Sequence, residues 1–213
     1  MIIIEQEKIV LNRYPTYCGS PLLLLSSKLY ISLKLYILLL SNGGFMERSK
    51  KIVFISHCLL NQNVRPLGTE KYPGIVKELM DLFSEAGVGL VQMPCPEFEL
   101  DGGFSRKPKS LEKLDTKAYR KGCRELAKKA LGQIDMYKQK SYNVLGILGV
   151  EFSPSCGVHQ IENGSKNVPG KGIFIEELED EMNKRNFQIP IIGMNLNNLF
   201  SSMEKLKDLI KYS

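Results

Sequence analysis

The chain holds 213 residues, 43% of them hydrophobic, which suits a single domain with a sizeable core. Its formal charge of +6 comes from 29 Lys and Arg against 23 Asp and Glu. The basic residues alternate with acids in KELMDLF and MEKLKDLIK, a pattern of solvated helix faces that argues against a nucleic-acid partner.

Five cysteines, at positions 18, 58, 95, 123 and 156, make an odd number at irregular spacings. An extracellular disulfide framework is normally even and denser, so a reducing, cytoplasmic setting is expected.

The N-terminal region is patterned unlike the rest. Residues 21 to 40, PLLLLSSKLYISLKLYILLL, are leucine-rich, yet Lys28 and Lys34 interrupt them. Each lysine near a helix centre opposes membrane insertion by about 2.5–3.5 kcal/mol, so no membrane span is expected. A small-residue cleavage site is also missing, which excludes a signal peptide. Met46 stands just before a strand-like start, and Gly43-Gly44 can be encoded by a bacterial ribosome-binding sequence at a suitable distance upstream. Residues 1–45 are therefore expected to be a translated leader or a poorly folded hydrophobic extension, with a true anchor as the alternative. Residues 46–213 are expected to be one α/β domain. Removing Lys8, Arg13, Lys28 and Lys34 together with Glu5 and Glu7 lowers the charge from +6 to +4.

From residue 51 the chain alternates. KIVFIS (51–56) predicts a strand. YPGIVKELMDLFSEAG (72–87) predicts a helix with Ile75, Leu79, Leu82, Phe83 and Ala86 inward, Pro73 in its first turn and Gly87 at its end. VGLVQM (88–93) predicts a second strand. Residues 115 to 137 predict a helix with Tyr119, Cys123, Leu126, Ala127, Ala130, Leu131 and Ile134 on its apolar face. NVLGILGV (143–150) is a third strand, and GIFIEELEDEMNKR a helix with Phe174, Leu178 and Met182 inward. The strand IPIIGM (189–194) follows. Ser201 and Glu204 suggest a capping box opening the last helix, with Met203, Leu206 and Ile210 inward.

Short apolar strands separated by helices of this length predict right-handed βαβ units. The expected fold is α/β: a three-layer, mostly parallel, Rossmann-like sheet with helices on both faces. Ligands bind such sheets at the carboxyl ends of the strands. Cys58 follows the first strand, Cys95 the second and Cys156 the third, so three crossovers deliver three cysteines to one edge.

A single cysteine is most often a small buried hydrophobe, and Cys123 on its apolar helix face reads that way. Cys58, Cys95 and Cys156 sit instead in SHCLLNQN, MPCPEFELDGGF and SPSCG, where proline and glycine shape the backbone. A packing cysteine needs no such neighbours, whereas a thiolate approaching a metal group does. The wide spacing is not a zinc-finger pattern, although zinc held by three cysteines and His57 or His159 is chemically reasonable. GGF at 102–104 and PGKG at 169–172 read only as loop glycines.

The segments SHCLLNQNVR, CPEFELDGGFSRKP and SPSCG, in this order, resemble the thiouracil desulfidase (TudS-type) family over residues 51 to about 194. That resemblance implies a 4Fe-4S cluster held by Cys58, Cys95 and Cys156, a site serine at Ser153, and a small thiolated pyrimidine base as substrate. The chain departs from the family pattern at His57, at Arg65-Pro66-Leu67-Gly68 and at Val150-Glu151-Phe152.

Three thiolates on four irons imply one open iron, a thiophilic position for the sulfur of a C=S group. Water would attack the carbon and hydrosulfide would leave. Glu97 and Ser153 are the candidates for moving the protons, although Glu97 could equally cap a loop. Arg65 and Arg106 could orient a carbonyl-bearing or anionic substrate, although surface arginines are ordinarily only solvated. The competing reading is a metal-binding module, iron-sulfur or zinc, that senses redox state or stores sulfur without turnover.

Overall fold

A computed structural model describes residues 47–164 and 166–211, and those from Arg48 onward belong to one compact unit. The reading of residues 1–45 as a leader or extension lies outside the described residues.

Four strands form a parallel sheet in the order β2-β1-β3-β6: β1 (Lys51–Ser56), β2 (Gly89–Met93), β3 (Asn143–Val150) and β6 (Ile191–Met194). A short antiparallel pair, β4 (Gln160–Asn163) and β5 (Lys166–Pro169), stands apart from that sheet. The helices are α1 (His57–Leu60), α2 (Lys77–Glu85), α3 (Pro96–Leu100), α4 (Leu111–Leu114), α5 (Lys117–Gln139), α6 (Ile173–Lys184) and α7 (Leu199–Lys211).

Alternation along β1 explains the three layers. Ile52 and Phe54 point into one apolar cluster, shared with Leu126 and Leu131 of α5 and Phe174 and Leu178 of α6. Val53 and Ile55 point into the other, shared with Leu79 and Phe83 of α2 and Leu206 of α7. A strand covered on both faces can be apolar at nearly every position, as KIVFIS is. Burying each large aliphatic or aromatic side chain contributes roughly 1.5–3 kcal/mol, so the two clusters hold the sheet in place.

Helix α5 carries the full predicted apolar face, from Tyr119 to Ile134, and Thr116 caps it by accepting from Tyr119 N. Ion pairs then bind α5 to α6: Arg124 to Glu177 at 2.8 Å and Arg120 to Glu176 at 2.9 Å.

Two helix starts differ from the sequence reading. Helix α2 begins at Lys77 rather than near residue 72, and Ile75 is 46% exposed rather than inward. The backbone there is engaged elsewhere, since Gly74 O accepts from Gln62 N and Val76 N donates to Leu59 O. Helix α7 begins at Leu199, so Ser201 already lies inside it and forms no capping box with Glu204. Asn195 organises that entry instead, its side chain accepting from Asn197 N and Asn198 N. Leu206 is buried as expected, while Met203 and Ile210 are half-buried.

Candidate active site at the carboxyl ends of the strands

β1 is followed in the chain by β2 on one side, and the next parallel strand, β3, lies on the other side of β1. The chain therefore reverses its winding direction between β1 and β3. That switch point opens a crevice at the carboxyl ends of the strands.

The register brings two cysteine-bearing segments level. Ser56 pairs with Met93, and Cys58 and Cys95 each follow two residues later. Cys58 is the second residue of α1, and Cys95 is the N-cap residue of α3. Gln62, buried, stitches the first turn: its Nε2 donates to Cys58 O and its Oε1 accepts from Lys71 N at 3.0 Å.

Cys156 reaches the same level by a fold-back, since Val150 N, at the end of β3, donates to Cys156 O at 2.9 Å. The turn that carries it is made by its own sequence. Ser153 Oγ accepts from Ser155 N at 3.2 Å and Cys156 N at 3.0 Å. Pro154 suits the intervening position because it has no N–H to leave unpaired. Phe152, just before, has φ of 67°, a strained conformation for an aromatic residue, next to the candidate site.

The first turn of α6 completes the arrangement. Its free N–H groups find acceptors in the turn: Ile173 N donates to Pro154 O, and Phe174 N and Ile175 N donate to Ser155 O. Gly172 permits this approach, because a Cβ there would lie 2.3 Å from the Ser155 carbonyl carbon. Gly172 of PGKG is thus more than a loop residue. Gly157 is closed in by protein, with a Cβ meeting Gln160 O at 2.6 Å and Ser153 O at 2.8 Å. The space beside this glycine is taken by the loop itself.

Cys58, Cys95 and Cys156 line one cavity of about 360 Å³, together with Glu97 and Ser153. Ser153 Oγ donates to Glu97 Oε1 at 3.4 Å. Burial pushes the Glu97 carboxyl up, against hydrogen bonds from Ser155 and Ser153 and the fields of Arg106 and Arg65. Burial likewise raises Cys58, Cys95 and Cys156. Cys95 is pushed up to about 12, with the Cys58 charge adding to burial, and Cys156 feels both other cysteines.

Arg65 and Arg106 line the same cavity, as do Lys71 and Lys109. Arg65 donates to Thr69 O at 2.8 Å, and its charge opposes the burial that raises the Cys58 thiol. Arg106 is 8% exposed, unlike an ordinary surface arginine. It donates to Gly103 O and Val64 O, lies 5.6 Å from the Phe98 ring, and keeps Nε unpaired. This guanidinium ties the Cys58 segment to the Cys95 segment.

Neither histidine lines the cavity. His57 packs edge-on against Phe98, and His159 bonds the Glu151 carboxylate at 2.7 Å. Cys123 is buried on α5, away from the cavity lining. Among the described residues, no three His, Cys, Asp or Glu side chains already surround a point for a single metal ion.

The donor set fits a thiophilic iron-sulfur group. Three soft sulfur donors share one cavity, burial and mutual repulsion keep their thiols protonated, and two guanidinium groups stand ready to offset thiolate charge.

The model of the 2-thiouracil desulfurase family matches residues 53–188. The chain belongs to that family. An uncharacterized protein of Methanocaldococcus jannaschii is 31% identical over 145 residues, covering 68% of this chain and 86% of its own length. A solved structure described as a 4Fe-4S-dependent thiouracil desulfidase, TudS, shares 23% identity with a TM-score of 0.48, covering 74% of this chain and 98% of that one.

For this family member, the sequence reading missed Ser155, Gln62 and the β4–β5 arm, which brings Glu162 and Asn167 to the cavity wall. The Asn163-Gly164 pair was a legible hairpin signal. Ser155 and Gln62 could be found only as neighbours of Cys156 and Cys58 in the chain.

Proposed function

We propose that the protein is a desulfidase that exchanges the sulfur of a thiolated nucleobase, or a similar thiocarbonyl compound, for oxygen from water. The observation that carries this reading is the convergence of Cys58, Cys95, Cys156, Glu97 and Ser153 on one cavity at the switch point of the sheet. Membership of the 2-thiouracil desulfurase family supports the substrate class.

Cys58, Cys95 and Cys156 would hold a 4Fe-4S cluster. When bound, the cluster supplies an open thiophilic iron that polarises the C=S group as a Lewis acid. The net change is thiocarbonyl plus water to carbonyl plus hydrosulfide and a proton, with no oxidant or reductant required.

Glu97 takes a proton from the attacking water. Its raised proton affinity suits a base that must later return that proton to the departing group. Ser153 orients the carboxylate through its hydroxyl, since its oxygen already accepts from two backbone N–H groups. Arg65 and Arg106 keep the thiolate-rich cavity close to neutral and face the carbonyl side of the substrate.

The test is anaerobic preparation of the protein, determination of iron and acid-labile sulfide, and measurement of hydrosulfide released from 2-thiouracil, 4-thiouracil and another thioamide. Iron-loaded protein that releases hydrosulfide supports the proposal. Iron-loaded protein that releases none from any of them overturns it and leaves a sensor or sulfur-storage module.

A further inference from the structure

Among the described residues, the carboxylates that line the cavity are Glu97, Glu151 and Glu162. Glu97 meets Ser153, and Glu151 is filled by the His159 ring and three backbone N–H groups. Glu162 differs. It is exposed at the cavity wall, and its side chain has no hydrogen-bond or ion-pair partner among the described residues. The same holds for Asn167.

These two residues stand directly opposite each other on β4 and β5. Cross-strand partners of an antiparallel pair share one face, with Cβ atoms about 4.5–5.5 Å apart. An acceptor and an amide donor therefore stand side by side on the cavity wall.

Two features hold the arm in that register. Phe152 gives both of its backbone groups to β4: its N–H donates to Gln160 O at 2.9 Å, and its carbonyl accepts from Glu162 N at 3.2 Å. The φ of 67° that strains Phe152 is thus offset by the two bonds that set the arm. Ile161 supplies the second anchor. It is buried in the space that Gly157 and Gly170 leave, where a Cβ would come within 2.8 Å and 3.1 Å of its side chain. Successive residues of a strand point to opposite faces, so Ile161 packed against the loop turns Glu162 toward the cavity.

We propose that Glu162 and Asn167 form a subsite that reads the edge of the base. Glu162 accepts the ring N–H that lies between the thiocarbonyl and the carbonyl, and Asn167 Nδ2 donates to the ring carbonyl oxygen. The cationic groups of the cavity, Arg65, Arg106, Lys71 and Lys109, are donors and cannot accept an N–H. The subsite rests on the proposed desulfidase reading and narrows its substrates to cyclic thioamides with a free N–H beside a carbonyl, as in 2-thiouracil and 4-thiouracil.

The test is binding of uracil and 3-methyluracil to iron-loaded protein, measured by calorimetry. Uracil keeps the N–H and the carbonyl without the sulfur, and 3-methyluracil lacks that N–H. Wild type should bind uracil more tightly than 3-methyluracil. Glu162→Ala and Asn167→Ala should each weaken uracil binding about 3- to 10-fold, the equivalent of one hydrogen bond. Glu162→Ala should also erase the discrimination against the methylated base, a change that a merely structural role would not produce. Iron content and thermal midpoint should stay at wild-type values, since both positions are exposed. Wild type that binds the two bases alike, unchanged uracil affinity in both variants, or discrimination that persists in Glu162→Ala would overturn the proposal. Wild-type protein that binds iron but releases no hydrosulfide would defeat the proposed function, while uracil binding, which involves no thiocarbonyl, would still decide the role of the arm.

Discussion

Ser153 donates its hydroxyl proton to Glu97 across 3.4 Å while its oxygen caps the turn that carries Cys156. One side chain therefore joins the proposed proton-handling carboxylate to the geometry of a candidate ligand. Ser153→Ala removes both contacts. Turnover should fall about 10²- to 10⁴-fold, and the metal-free fold should lose about 0.5–2 kcal/mol, the usual effect of deleting such a cap. Ser153→Thr, which keeps the hydroxyl, should recover most of the stability. Unchanged hydrosulfide release in Ser153→Ala would remove the residue from the mechanism.

The four described cysteines should divide three to one. Cys58→Ser, Cys95→Ser and Cys156→Ser should each lose the iron, because all three line the cavity. Cys123→Ser should keep wild-type iron content and lose about 1–3 kcal/mol of stability, since it places a hydroxyl among apolar side chains. Iron and sulfide determination on the four variants decides the assignment; equal iron in Cys156→Ser and wild type would refute it.

Gly157→Val should destabilise the protein even without metal. The added side chain meets the backbone oxygens of Gln160 and Ser153, which no rotamer change relieves. A lower thermal midpoint of metal-free protein is the expected outcome. A variant as stable as wild type that merely fails to bind iron would show that the glycine leaves room for the cluster instead.

Glu151 should make the loop acid-sensitive. Burial opposes its ionisation, but the His159 ring and the N–H groups of His159, Gln160 and Val158 together hold its pKa below the ordinary glutamate value. A depressed folded-state pKa contributes stability that is fully present above the unfolded value of about 4.3. That contribution is lost as pH falls through the folded value. Between pH 6 and pH 3 the wild type should therefore lose more stability than Glu151→Gln, measured by urea unfolding of metal-free protein. Parallel pH curves for the two would contradict this.

A chain beginning at Met46 should fold and turn over as well as the full-length protein. Residues after that position build two apolar clusters and line the candidate cavity among the described residues. Equal urea midpoints and equal turnover are expected; loss of folding would show that residues 1–45 are part of the core or a true anchor.

The layered α/β fold was legible because periodicity is a local property. The apolar face from Tyr119 to Ile134, and the strands KIVFIS and NVLGILGV, follow from side-chain spacing alone. The three cysteines could likewise be assigned to one edge, because parallel strands joined by crossover helices all end on the same side. The starts of α2 and α7 were not legible in the same way. The Val76 N–H that would extend α2 is bonded to Leu59, and the entry to α7 is set by Asn195 rather than by Ser201.

Within the candidate site, the types of chemical group were readable and their partners were not. Cys58, Cys95, Cys156, Glu97 and Ser153 stood out by their neighbours in the chain. Only the tertiary structure decided that Ser155 meets Tyr119, 36 residues earlier, and that Arg106 is buried against Val64. It also decided that Gly157 and Gly172 make room for backbone rather than ligand. Local spacing determines which face a residue occupies; hydrogen-bond pairing across the fold depends on how the faces dock, which no stretch of sequence contains by itself.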